Sequence, residues 1–207
     1  MHHARRLADA AAHTAPAFFK EPLRPEHSHL IGRLVATTSV PIATGERLFC
    51  REEFLPVLAA GIAIAQPDPA HCGGITEAFR IATMAESYDV QIAPHCPIGP
   101  VALAACVQLD LAVPNFYAQE HIIDLRSPDS PDLAYLRNPE ALVAVSGHLD
   151  RPTGPGWASR STRTPYAPPP APSRSCRGAT RCGATPTAAS PNGDARCVAF
   201  LRTGIGK

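Results

Sequence analysis

Four short apolar runs in this chain each end in a group able to carry charge or move a proton. "AFFKEP" ends in Lys20 and Glu21, "SVPIATGER" in Glu46 and Arg47, "IAIAQPD" in Gln66 and Asp68, and "VQIAPHCP" in His95. A fifth stretch, "FYAQEH", adds Glu120. Imidazole is the side chain best suited to proton transfer near neutral pH. A carboxylate on the preceding strand, Asp68, would hold His95 in one tautomer and raise its basicity. Glu46 offers a hard oxygen of the kind magnesium takes. Glu120 could act on charge at a substrate oxygen. Together these types suit proton abstraction beside a carboxylate, with a cation stabilising the enediolate. Any single polar strand end is equally a solvated loop start; four in phase are harder to read that way.

These groups need elements to position them. Ala17–Phe19, Ser39–Thr44, Ile62–Ala65 and Gln91–Ala93 read as short strands. Between them lie helix-length segments, "REEFLPVLAAG" over 51–61 and "GITEAFRIATMAESYD" over 74–89. The second repeats Ile75, Ala78, Phe79, Ala82, Ala85 and Glu86 at steps of three and four, an amphipathic pattern with one polar exception. Pro56 predicts a separate or kinked first turn in the first segment. Gly99 to Ala105 reads as a small-residue helix, and Pro94 and Pro97 fix the backbone around His95 and Cys96. Repeated βα units of this length predict an α/β fold with a parallel sheet. In a (β/α) barrel the carboxyl ends of the strands converge on one mouth, and His95 is expected to point into it.

Composition sets the outer limits. A chain of 207 residues with 45% hydrophobic content can bury one sizeable core. The net charge of +1 hides a split. Residues 1–150 carry 10 Lys/Arg against 17 Asp/Glu, whereas residues 151–207 carry 9 Lys/Arg against Asp194 alone. Seven cysteines with no CxxC pair argue against a zinc cluster or a disulfide framework. There is no apolar run of the roughly 18–20 residues a membrane span needs, and the first residues supply no continuous secretory core. A cytoplasmic location and no membrane partner are the expectation by elimination.

Residues 16–154 resemble the carboxyl-terminal part of the barrel domain of the enolase superfamily, in its mandelate-racemase-like branch. The resemblance is nearest to sugar-acid dehydratases of the galactonate type. The text that carries it is "FFKEPLRPEH", "VPIATGERLFCREEF", "IAQPDPAHCGGITEAFRIATMAESYDVQIAPHCPIGPVALAACVQLD", "NFYAQEHI" and "RPTGPG". It implies a partial (β/α) TIM-type barrel, a Mg2+ cofactor and a small-molecule sugar acid as substrate. It leaves room for a homo-oligomer of the intact family member. By resemblance Glu46 falls on a magnesium ligand and Asp68 on the carboxylate partner of the barrel histidine. His95 falls on the general base that removes the proton alpha to the substrate carboxylate. Glu120 falls on the acid that hydrogen-bonds near the developing enediolate. The implied reaction is a hydro-lyase step that expels the beta hydroxyl as water and yields a 2-keto-3-deoxy acid. Asn115, Cys72 and Cys106 match no catalytic position and read as cap or packing residues.

The departures from the family pattern matter as much. Lys20 occupies a usual ligand position and is not expected to bind metal; it is expected to put an ammonium where the cation would sit. Glu21 follows on the opposite face of the strand and cannot replace the ligand without a backbone change. The family's earlier aspartate ligand, its second histidine and its capping domain lie upstream of the matched text. His2 and His3 are expected to belong to a terminus rather than to a site. The competing expectation is therefore a catalytically inactive remnant, or an interaction protein with no enzymatic role.

The sequence predicts two regions, a partial barrel over 1–156 and a Pro/Arg-rich tail over 157–207 with no persistent period. The tail reads as disordered. Its lack of interleaved aromatics disfavours nucleic acid as a partner. Shifted by one base, GC-rich codons for "WASRSTRTPYA" can be read as LGVEVDEDAVR, which resembles the family's continuation after "RPTGPG". Cys176 to Pro186 can likewise hide "PWRNPVWRHP". The tail is thus expected to be a frameshifted end of the same gene.

Overall fold

A computed structural model describes residues 1–122, 133 and 136–161, together with the backbone of 197–202. Helix α1 (His2–Ala11) leads into strand β1 (Phe19–Lys20), helix α2 (Ile31–Val35) and strand β2 (Ile42–Thr44). Helix α3 (Arg51–Ala59), strand β3 (Ile64–Ala65), helix α4 (Ile75–Glu86) and strand β4 (Gln91–Ile92) follow. Helix α5 (Pro100–Ala112) precedes strand β5 (Gln119–His121). The first four strands form one parallel sheet in the order β1-β2-β3-β4, with Lys20 opposite Ala43, Thr44 opposite Ala65, and Ala65 opposite Ile92. The segment entering β5 extends this arrangement through a parallel bridge between Ile92 and Phe116. The fold is therefore α/β, with a parallel sheet and surrounding helices typical of a (β/α) barrel.

Side chains alternate across the sheet, as a pleat requires. Ile42, Ala65 and Ile92 face the helices, where they join Phe54, Leu58, Ile81 and Leu109 in the main core. Ala43, Ile64 and Ala93 face the other way and meet Phe18 and Tyr117, whose rings pack edge-on at 6.2 Å. This inner apolar layer floors the rim on which the polar strand ends stand. Gly45 makes the turn to Glu46 at a φ of +136°, and a Cβ there would sit 2.7 Å from the buried Phe54 ring. Only glycine combines that backbone with so close an approach.

Two sequence expectations change here, on helices α3 and α4. Helix α3 runs unbroken through Pro56. Both Pro56 and Glu52, whose carbonyl loses its amide partner, lie on the exposed face, where water can take over. On α4 the buried stripe is Ala78, Ile81, Ala82 and Ala85, whereas Phe79 is exposed. Ile81 satisfies the three-and-four spacing with Ala78 and Ala85 better than Phe79 does. Within the tail, "CVAFLR" forms strand β7 (Cys197–Arg202), an apolar run that the surrounding composition conceals. It pairs antiparallel with β5 and parallel with strand β6 (His148–Asp150). Residues 162–196 and 203–207 of the tail lie outside the described residues.

Candidate active site

The five strand ends meet at one rim. His95 follows β4 by three residues, and its amide donates to the Pro67 carbonyl at 3.1 Å, which aligns the two loops. Its Nδ1 lies 2.9 Å from Asp68 Oδ2, with both side chains buried. Asp68 is itself held rigidly. The Ala70 amide donates to its Oδ1 at 2.8 Å, and the amides of His71 and Cys72 donate to its carbonyl. A carboxylate fixed in this way orients the imidazole so that Nε2 is the nitrogen presented to the mouth. Nε2 lies 3.4 Å from Glu46 Oε2.

The other half of the rim is an ion cluster. Lys20 Nζ lies 2.6 Å from Glu46 Oε2 and 2.5 Å from Glu120 Oε2. The Gln66 side-chain amide donates to the same Glu120 oxygen at 3.3 Å. Arg47 touches the far oxygen of Glu46 only loosely, at 3.8 Å, and is largely exposed. Glu120 is seated by its neighbour: the Gln119 amide donates to the Pro94 carbonyl at 2.8 Å and to the Glu120 carbonyl at 2.6 Å. Lys20, Glu46, Asp68, His95 and Glu120 are thus brought together.

Glu21 stays apart from them. It adopts a left-handed backbone with φ of +46°. Its carboxylate accepts from the Thr44 hydroxyl and the Gly45 amide, both at 2.8 Å. Its position is structural, a stitch between β1 and the β2 turn. Asn115 is structural as well, since its amide donates to the carbonyls of Ala82 and Val90. Burial, reinforced by Asp68, pushes the Cys72 thiol up to about 11, so it is no nucleophile at neutral pH. The Cys106 thiol is held well above its usual range by its contact with Cys96 and by burial.

His71 was not singled out by its sequence position, yet it belongs to this rim. Its Nδ1 lies 3.5 Å from Asp68 Oδ2, and its ring centroid is 6.4 Å from that of His95. The available signal was the spacing "DPAH", which places an imidazole three residues after Asp68 within one turn. The donor atoms of Asp68, His71 and His95, and separately those of Glu46, His95 and Glu120, lie within 4.8 Å of one another. The rim therefore holds acidic and histidine donors consistent with metal binding.

The family described as Enolase C-terminal domain-like matches residues 1–160. This chain belongs to the enolase superfamily, in its mandelate-racemase-like branch. Among curated relatives, the D-galactonate dehydratases of Pectobacterium atrosepticum and Ralstonia nicotianae are each 46% identical to it over 143 residues. Each of these matches covers 68% of this chain and 37% of the relative, so the chain spans little over a third of those proteins. Among solved structures, a mandelate racemase/muconate lactonizing enzyme from Jannaschia sp. CCS1 superposes with a TM-score of 0.59 at 37% identity. One from Sulfitobacter sp. does so with the same TM-score at 39% identity. Both matches cover 65% of this chain and 34% of the other. No helix among the described residues is long and apolar enough to cross a membrane.

Proposed function

We propose that this superfamily member carries the proton-abstracting part of a galactonate-type sugar-acid dehydratase site and that its own ammonium stands in the cation position. His95 is the base for the proton alpha to the substrate carboxylate, and Asp68 fixes its tautomer. Glu120 faces the oxygen on which enediolate charge develops. Residues 1–156 form the domain that bears this site, and 157–207 form a tail whose strand β7 pairs with β5 and β6. The observation that carries this reading is the shared rim, with the His95–Asp68 contact at 2.9 Å beside the Lys20 bridge to Glu46 and Glu120.

Magnesium, which the family implies, does not fit these side chains as they stand. The two oxygens best placed to bind it are already in contact with Lys20 Nζ. An ammonium repels a dication directly and does not reproduce an octahedral oxygen clamp. Nor does Lys20 have charge to spare, because two carboxylates already neutralise it. Enediolate charge would go largely uncompensated, and one missing stabilising donor can cost roughly 3–4 kcal/mol of barrier. Dehydration by this chain is accordingly expected to fall below detection.

The test pairs magnesium calorimetry with an assay for 2-keto-3-deoxy acid, using the 207-residue chain and D-galactonate. The expected outcome is weak magnesium binding and no product, with Lys20→Glu raising magnesium affinity without full turnover. Tight magnesium binding and ordinary turnover by the unaltered chain would overturn the reading.

A further inference from the structure

We infer that Asp68, His71 and His95 form a binding site for a divalent transition-metal ion of the zinc class, distinct from the position Lys20 fills. Two imidazoles and one carboxylate are a borderline donor set that suits zinc and its neighbours rather than magnesium. Asp68 Oδ2 lies 2.9 Å from His95 Nδ1 and 3.5 Å from His71 Nδ1. Ligand atoms around a tetrahedral zinc, with bonds of about 2.0–2.1 Å, are spaced at about 3.4 Å. The His71–Asp68 spacing already matches that value, the His95–Asp68 spacing would have to open by about half an ångström, and one donor atom from each of the three residues lies within 4.8 Å of the others.

The surroundings support such an ion. Asp68 is anchored by the Ala70 amide through its other oxygen, so Oδ2 is presented without cost to the turn. His95 Nδ1 is hydrogen-bonded to that oxygen, whereas His71 Nδ1 lies 3.5 Å from it and 3.5 Å from the Glu46 carbonyl, so a dication could take up both nitrogens by displacing one proton and one weak contact. Glu46 and Glu120 stand nearby, and the charge of Lys20 is shared between them. His71 is 40% exposed at its side chain and gives the ion an entry path, whereas Asp68 and His95 are buried. An ion here would hold His95 by Nδ1, leaving Nε2 protonated and facing Glu46. The base would then be locked. That consequence rests on the role proposed for His95; the site itself does not.

Zinc is titrated into the full chain against a chromophoric chelator, with a phosphine reductant present, and Co2+ serves as a spectroscopic substitute. We expect one zinc per chain, with affinity falling at least about tenfold in His71→Ala and in His71→Gln. The double variant His2→Ala, His3→Ala should leave it unchanged. The cobalt spectrum should show a tetrahedral band with no thiolate charge transfer. Unchanged zinc affinity in both His71 variants, or a thiolate band from cysteine ligation, would overturn the site. Because binding is read directly, an absence of dehydratase turnover does not bear on this result.

Discussion

The rim has two halves that differ in how their charges are settled. In the histidine half, Asp68 and His95 face each other at 2.9 Å; the Ala70 amide holds the carboxylate from behind, and the His71 and Cys72 amides hold the Asp68 carbonyl. In the cation half, Glu46 and Glu120 are held together by one ammonium on a flexible stem. The first half relies on backbone geometry and tolerates changes in the mouth. The second relies on the identity of a single residue. Residue 20 therefore decides whether the cation half carries its own counter-charge.

The largest expected effect comes from removing that residue. Lys20→Ala leaves two mostly buried carboxylates facing each other, and breaking a buried ion pair from one side costs about 3–5 kcal/mol. Urea denaturation should show that loss at neutral pH, and millimolar Mn2+ should recover part of it. A loss under about 1 kcal/mol would mean that the cation half is no more organised than a surface salt bridge.

Asp68→Asn probes the other half and should cost less, about 1.5–3 kcal/mol for a hydrogen bond to a charged group. The Asn oxygen can still accept from Ala70, so the turn survives. Nitrogen NMR of the His95 ring should then show a mixture of tautomers. A single unchanged tautomer would break the claim that Asp68 sets it.

A fourth carboxylate, on helix α5 and outside both halves, provides the contrast. Asp110 is buried on α5 with neither oxygen hydrogen-bonded among the described residues. Desolvation, with a contribution from Cys96, raises its pKa well above the usual range. The folded state therefore keeps a proton that the unfolded chain releases near pH 4. Its contribution is most favourable below the unfolded value and is lost as pH rises toward the folded one. Asp110→Asn should flatten that decline and stabilise the protein at neutral pH by about 1 kcal/mol. A stability profile against pH identical to that of the unaltered chain would remove Asp110 as its source.

The smallest effect is expected at His71. Its side chain is half exposed, so His71→Ala should change stability by under about 0.5 kcal/mol in metal-free buffer. Thermal melting checks this, and a larger drop would show that His71 supports the turn itself.

Much of the scaffold was legible because apolar runs, prolines and the "TGE" glycine leave local signatures. The rim was legible for a related reason. Lys20, Glu46, Asp68, His95 and Glu120 each follow an apolar run, and parallel strands bring such ends together. What could not be read depends on details that spacing does not encode. Phe79 and Ile81 both fit a helical stripe, and only packing decided between them. His71 stands in a turn, where no period marks direction. The left-handed turn at Glu21 needs the Thr44 and Gly45 partners, which lie 23 and 24 residues away. The pairing of β7 with β5 joins segments far apart in the chain.

The Lys20 bridge also bears on how this protein could change over time. Lysine and glutamate codons differ by one transition at the first base, so the self-neutralised mouth lies a single point mutation from one with another carboxylate. The two states are not equivalent to a cell. With glutamate at position 20, Glu46 and Glu120 would have an acidic neighbour, and a supply of dication would be needed to offset their repulsion. With lysine, the counter-ion is made with the chain on the ribosome, and no such supply is needed.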